Sequence, residues 1–194
     1  TGTWCAYNDW GGSNHYQGLT GPTGGEFAPE VSLSRPWATG FVRWPEDAPR
    51  IPHASPFLTR PRYPHMDYAR ANGISKKYAS SGWAAFERPF ALWAEEQGIA
   101  LDYVTQHDLH ADLRLLDAYP RAVIVGHDEY WTWEMRDHLD AWVDRGGQLA
   151  RFGGNFFWQT RLSDDLLTQT CYKSRAEAED PLAATDRITS YWDH

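Results

Sequence analysis

The sequence predicts an α/β fold built on a mostly parallel sheet, and three observations carry that expectation. First, Ala122, Val123, Ile124 and Val125 form a short β-branched run between Pro120 and Gly126, the signature of a central strand covered on both faces. Second, a helical pattern follows, with Met135, Leu139, Trp142 and Val143 on one side and Gly146-Gly147 as its stop. Third, Gln148 to Phe152 gives another strand. Strands alternating with helices at this rhythm mean βαβ units.

The elements in order are these. Residues 3 to 7 read as the end of a strand, followed by the turn signal Asn8-Asp9-Trp10-Gly11-Gly12. Residues 13–80 read as one long irregular loop, because nine of the twelve prolines lie between Pro22 and Pro64. A loop of that length is a lid or binding loop, or else an irregular insertion. Residues 83–158 form the βαβ core. In it, Phe86, Phe90, Trp93 and Ala94 recur at helical spacing up to Gly98, and Ile99 to Thr105 is a strand. Gln106 to His110 is a polar turn, and a short helix carrying Leu113, Leu116 and Tyr119 leads to Pro120. Thr132 is the N-cap of the next helix, with Glu134 in its first turn. Residues 159–194 read as an irregular tail with a short helix over Asp164 to Thr170, and both chain ends read as cuts in a longer polypeptide.

Composition excludes several functions. A formal net charge of −8 argues against a nucleic-acid or anionic-membrane partner, since both need clustered Lys and Arg. Cys5 and Cys171 make neither a disulfide framework nor a Cys-x-x-Cys metal site. No apolar run is long enough to span a bilayer and no signal peptide opens the chain, so a cytoplasmic location is the default expectation. The 11 Trp, 10 Tyr and 8 Phe residues suit either a core or a surface for flat or carbohydrate-like ligands.

Polar residues follow each expected strand: Tyr7-Asn8, His107-Asp108, His127-Asp128-Glu129 and Gly153-Gly154-Asn155. Parallel strands share one carboxyl edge, so the four clusters should line a single rim. A Glu beside a His is either a base with its orienter or a pair of metal ligands. Glu129 and Tyr7 oxygens are hard donors that suit a Lewis-acidic iron. Asn155 offers an amide N–H to an oxyanion. No serine elbow is present and no cysteine follows a strand. Each residue also has a structural reading. Glu129 could cap a helix or pair with Arg136, Asp108 could cap a helix, His107 and His127 could be satisfied buried histidines, Asn155 could be a turn residue and Tyr7 could be core.

Several motifs occur in order: Thr-Trp-Cys-Ala-Tyr-Asn-Asp-Trp-Gly-Gly-Ser at 3 to 13, Arg-Pro at 35 and 36, Glu-Arg-Pro-Phe at 87 to 90 and Leu-Asp-Tyr-Val-Thr at 101 to 105. Asp-Leu-His at 108 to 110, Gly-His-Asp-Glu-Tyr-Trp at 126 to 131 and Gly-Gly-Asn at 153 to 155 follow. Together they resemble the catalytic, large-subunit domain of the N,N-dimethylformamidase family. The resemblance implies a three-layer sandwich like the class I glutamine amidotransferases (flavodoxin-like). It further implies hydrolysis of the C–N bond of a small formamide-like amide. The cofactor it implies is a mononuclear ferric iron held by two tyrosines and one glutamate.

Tyr7 matches the first tyrosine and Glu129 the glutamate, while His127 and Asn155 match residues lining the site. Asp128 lies between the two matched residues of the motif and is the remaining catalytic candidate. The second tyrosine is expected after the Arg35-Pro36 pair, where this chain has Trp37, and Tyr16, Tyr63 and Tyr68 are the other candidates. The partners implied are a small amide substrate and either a small partner subunit or a second copy of the chain. The alternative reading is a divergent α/β domain without metal that binds a ligand, such as a carbohydrate, through its aromatics.

Overall fold

The computed structural model describes residues 6, 13–15, 26–34, 37–49, 64–75, 77–79, 82–154 and 158–192. They form a mixed α/β domain with small parallel and antiparallel sheets. In chain order the strands are β1 (Ser13–Asn14), β2 (Glu26–Phe27), β3 (Glu30–Ser32), β4 (Arg121–Val125), β5 (Tyr130–Trp131), β6 (Gln148–Phe152), β7 (Trp158–Gln159), β8 (Arg161–Leu162) and β9 (Thr168–Thr170). The helices are α1 (Pro64–Asn72), α2 (Glu87–Glu96), α3 (Gln106–Ala111), α4 (Trp133–Asp144) and α5 (Ala176–Glu179), with 3-10 turns at Leu115–Ala118 and Lys173–Arg175.

The β4–α4–β6 unit stands as the sequence predicts. β4 and β6 pair in parallel from Arg121 opposite Gln148 to Val125 opposite Phe152. β5 and β7 form a second parallel pair, Tyr130 opposite Trp158 and Trp131 opposite Gln159. The Gly126 N–H donates to the Phe152 carbonyl at 2.9 Å, and the Trp158 N–H donates to the Glu129 carbonyl at 2.9 Å. The chain thus runs two parallel pairs in succession, and residues 126–129 fill the break between them. Gly126 makes the break with φ +90°, a left-handed backbone that favours glycine. A Cβ on Gly153 would lie 2.0 Å from the Gly126 carbonyl oxygen, so only glycine allows the two strand ends to approach.

α4 starts where expected. The Thr132 hydroxyl accepts the Met135 N–H, and the helix buries Met135, Leu139 and Trp142. Val143 is 42 % exposed rather than part of that face. At 100° per residue it stands well off the line through the other three.

Other expectations are corrected. Ile99 to Thr105 is not a strand, and Tyr103 and Val104 are exposed. The chain there is drawn into α3, which replaces the expected polar turn. The Thr105 hydroxyl accepts from the Asp108 N–H while the Asp108 carboxylate accepts from the Thr105 N–H, a capping box. β4 is not covered on both faces among the described residues, since Val123 is exposed, as are Leu149 and Phe152 on β6. An apolar run records content and not neighbours. On α2 the buried residues are Ala91 and Ala94, while Trp93 is exposed. The loop region carries β1, β2, β3 and α1. The tail is ordered as well: β9 pairs antiparallel with both β3 and β8, and Thr168 to Thr170 is strand where a helix was expected. The tail also supplies Cys171 to a buried cluster with Ala6, Phe41, Tyr78, Tyr130 and Trp158.

Candidate functional site

The break between the parallel pairs is where the polar residues gather. Extended backbone sends successive side chains to opposite sides, and residues 127 to 129 follow that alternation. His127 and Glu129 turn one way: His127 Nε2 lies 3.1 Å from Glu129 Oε2. The Trp158 indole N–H donates to Glu129 Oε1, also at 3.1 Å. Each carboxylate oxygen therefore has a nitrogen neighbour. Glu129 is only 5 % exposed, and burying a carboxylate is tolerable only with such partners. Tyr130 and Trp131, which follow it, are buried too. The readings of Glu129 as a helix cap or as a partner of Arg136 do not match this placement. Thr132 caps α4, and Arg136 pairs with Asp140 at 3.6 Å.

Asp128 turns the other way. Its Oδ1 accepts from the Gln106 amide at 2.7 Å, and Arg151 Nη1 stands 3.6 Å from Oδ2. Burial pushes its carboxyl up to about 6, with the Arg151 charge pulling against it. Gln106 also donates to the Tyr130 carbonyl at 3.0 Å, and Arg151 to the Asp128 carbonyl at 3.1 Å. These contacts tie the turn to α3 and β6, so the geometry gives Asp128 the work of holding the turn.

Glu87, at the start of α2, belongs to this second side. Burial raises its carboxyl to about 7, and the Asp128 charge adds to the effect. His107 is half-buried, and burial lowers its pKa. Asp108 is spent on the capping box. Gly154 lies beside His127, since a Cβ there would be 3.7 Å from Nδ1.

Tyr7 and Asn155 lie outside the described residues, as do Tyr16 and Tyr63. Trp37 is 54 % exposed. Tyr68 donates its hydroxyl to Asp47 at 2.6 Å. Two residues not singled out from the sequence lie in or against the buried cluster that flanks the site. Tyr78 is fully buried in the cluster that holds Tyr130 and Trp158. Its hydroxyl finds no hydrogen-bond partner among the described residues. Burial pushes that phenol up to about 12, with Tyr68 and Asp47 adding to it. Lys173, 6 % exposed, sets its ammonium over the rings of Tyr130 and Trp158. Neither stands in a local pattern that marks it, because each reaches that cluster only through distant packing.

No three His, Cys, Asp or Glu side chains among the described residues are grouped to hold a metal ion. The donors that are present, a buried carboxylate and an unpartnered buried phenol, fit in kind a hard cation with oxygen ligands.

Against known proteins, residues 1–194 match the family described as N,N-dimethylformamidase beta subunit-like, C-terminal. The chain belongs to that family. No curated protein matches it. Membership of the N,N-dimethylformamidase beta subunit-like family agrees with the resemblance carried by the Gly-His-Asp-Glu-Tyr-Trp stretch, which is the stretch that forms the break between the two parallel pairs. No helix among the described residues is long and apolar enough to cross a membrane.

Proposed function

We propose that the chain is the C-terminal domain of an iron-dependent amidohydrolase that cleaves the C–N bond of a small formamide-like amide. The observation that carries this reading is the Glu129 carboxylate, buried and steered by His127 and Trp158 at 3.1 Å each, within a chain of this family. Glu129, Tyr7 and a second tyrosine would hold the iron. Tyr78 is the tyrosine we assign, because its phenol is buried and unpartnered among the described residues while Tyr68 is bound to Asp47. When bound, such an ion supplies Lewis-acid polarisation of the amide carbonyl.

The chain's own residues do the rest. His127 orients Glu129 and faces the substrate side. Asn155 donates to the developing oxyanion. Trp158, packed with Tyr130 in one buried cluster, keeps water from the carboxylate, which strengthens its interactions in a low-dielectric setting. Asp128 acts through the turn that it holds. The same reading makes the parallel pairs part of a three-layer, glutamine amidotransferase-like sandwich. It also places the protein in the cytoplasm, with a small partner subunit or a second copy of the chain.

Iron analysis of the full-length protein tests the proposal. A stoichiometric iron with a visible tyrosinate-to-iron absorption band is expected. The band should be lost in Tyr7→Phe and weakened in Tyr78→Phe, and the iron lost in Glu129→Ala. A colourless, iron-free protein that hydrolyses no N-substituted amide sinks it.

A second reading has its own observation. An open groove of about 550 Å³ is lined by residues of the segment Trp37–Glu46, including Trp37 and Trp44, and includes none of His127, Asp128 or Glu129. Carbohydrate binding through these aromatics, without metal, would favour that reading.

A further inference from the structure

We propose that Lys173 is a positioning residue of the Glu129 site, acting through the indole of Trp158. The inference rests on the reading of Glu129 as the centre of the site. Lysine is among the residues least often buried, yet Lys173 is 6 % exposed. It also holds φ at +56°, a left-handed backbone that is uncommon for a long side chain. An uncommon backbone kept at a buried cation is the kind of feature that clusters at functional sites.

Its ammonium nitrogen lies 4.8 Å from the centre of the Trp158 ring and 5.1 Å from that of Tyr130. Trp158 borders the carboxylate, donating its N–H to Oε1 at 3.1 Å, and Tyr130 packs with Trp158 in one buried cluster. Trp158 is further held by stacking on Tyr191, with centroids 4.3 Å apart and planes at 26°. A cation over an indole face draws on the ring's electrons. The N–H then becomes more positive and a stronger donor, so the ammonium and the hydrogen bond reinforce each other. Lys173, Trp158 and Glu129 form a line of contacts: ammonium on the ring face, ring N–H on the carboxylate. That line fixes which way Glu129 Oε1 points, and it accounts for a lysine buried against two aromatic rings.

The test is the indole N–H resonance of Trp158 in ¹⁵N-labelled full-length protein, with any bound iron replaced by diamagnetic gallium(III), assigned by its loss in Trp158→Phe. Lys173→Met should move the proton upfield and speed its exchange with water about tenfold, as loss of a desolvated cation–π contact implies. Lys173→Arg keeps a cation and should hold both near their original values. Lys173→Asn removes the charge but suits the left-handed backbone. It guards against a variant that merely fails to fold, and should match the Met variant.

An unmoved indole signal in either folded neutral variant overturns the proposal. So does a failure of all three variants to fold, which would make Lys173 a packing residue. Folding of the Arg variant alone, with its indole signal in place, supports a need for charge. Iron content is measured separately. An iron-free protein whose indole still answers to Lys173 removes the amidase reading and leaves this coupling standing.

Discussion

Glu129 shows how much one side chain depends on its neighbours. Its two oxygens face His127 Nε2 and the Trp158 N–H. In Glu129→Gln the Trp158 N–H meets a neutral amide oxygen and the amide nitrogen faces His127 Nε2, so charge-assisted contacts become neutral ones. A loss of about 1–3 kcal/mol in urea-denaturation free energy is expected. Cys171 makes a different prediction. It is fully buried, and burial pushes its thiol up to about 12, against the pull of Lys173. A thiolate is the reactive form, so Cys171 should resist a disulfide reagent in the native protein and react within the dead time in 8 M urea, a concentration on the order of that needed to unfold a small domain. Fast native labelling of Cys171 would contradict its placement.

At the scale of elements, the site depends on how α4 begins and how the two strand ends meet. The Thr132 hydroxyl takes the Met135 N–H and also lies 2.8 Å from His110 Nδ1 on α3. It therefore caps one helix and ties it to another. Thr132→Ala should cost about 1–2 kcal/mol, read as a lowered urea midpoint, with Thr132→Ser recovering most of it. Gly153→Ala is more severe, because its Cβ would fall 2.0 Å from a backbone oxygen that cannot swing aside. A loss of about 3 kcal/mol, or failure to accumulate as folded protein, is expected. The break at residues 126–129 and the positions of His127 and Glu129 should be disturbed with it.

Across the whole molecule, two carboxylates pull stability in opposite directions with pH. Burial alone would raise Asp180. Hydrogen bonds from Arg161, the Leu182 N–H and both the side chain and the N–H of Thr189 outweigh it and hold the carboxyl down to about 2. Arg161 makes two of these bonds, each at 2.9 Å. A depressed carboxyl contributes stability that is present above its ordinary value, near 3.8, and lost as pH falls through about 2. The contribution is roughly 2 kcal/mol. Glu87 has the opposite sign. Raised to about 7, it contributes stability that is complete below its ordinary 4.5 and lost as pH rises through 7. The urea midpoint should therefore be highest at about pH 4, since the loss from Glu87 sets in as pH rises past 4.5 and that from Asp128, raised to about 6, as pH rises past 3.8. Glu87→Gln should reduce the fall above about pH 4.5, leaving the share that Asp128 contributes, and Asp180→Asn should remove the acid limb.

The amino-acid order alone determined the parallel β4–α4–β6 unit, the Thr132 cap and the stretch that places His127 and Glu129 after a strand. These are local matters: a β-branched run, a helical repeat, a hydroxyl before a helix and glycines at a turn act over a few residues, and periodicity reports them directly. The Thr105-x-x-Asp108 box was equally local, and it outweighed the strand pattern before it. Tertiary structure decided the rest. It turned Asp128 away from Glu129 towards Gln106 and Arg151, buried Tyr78, and brought Trp158 from the end of the core to the carboxylate and Lys173 from beyond the core onto Trp158. None of these contacts has a spacing that the sequence can show. Each exists because burial of a charge demands a partner, and folding supplies that partner from wherever in the chain it stands.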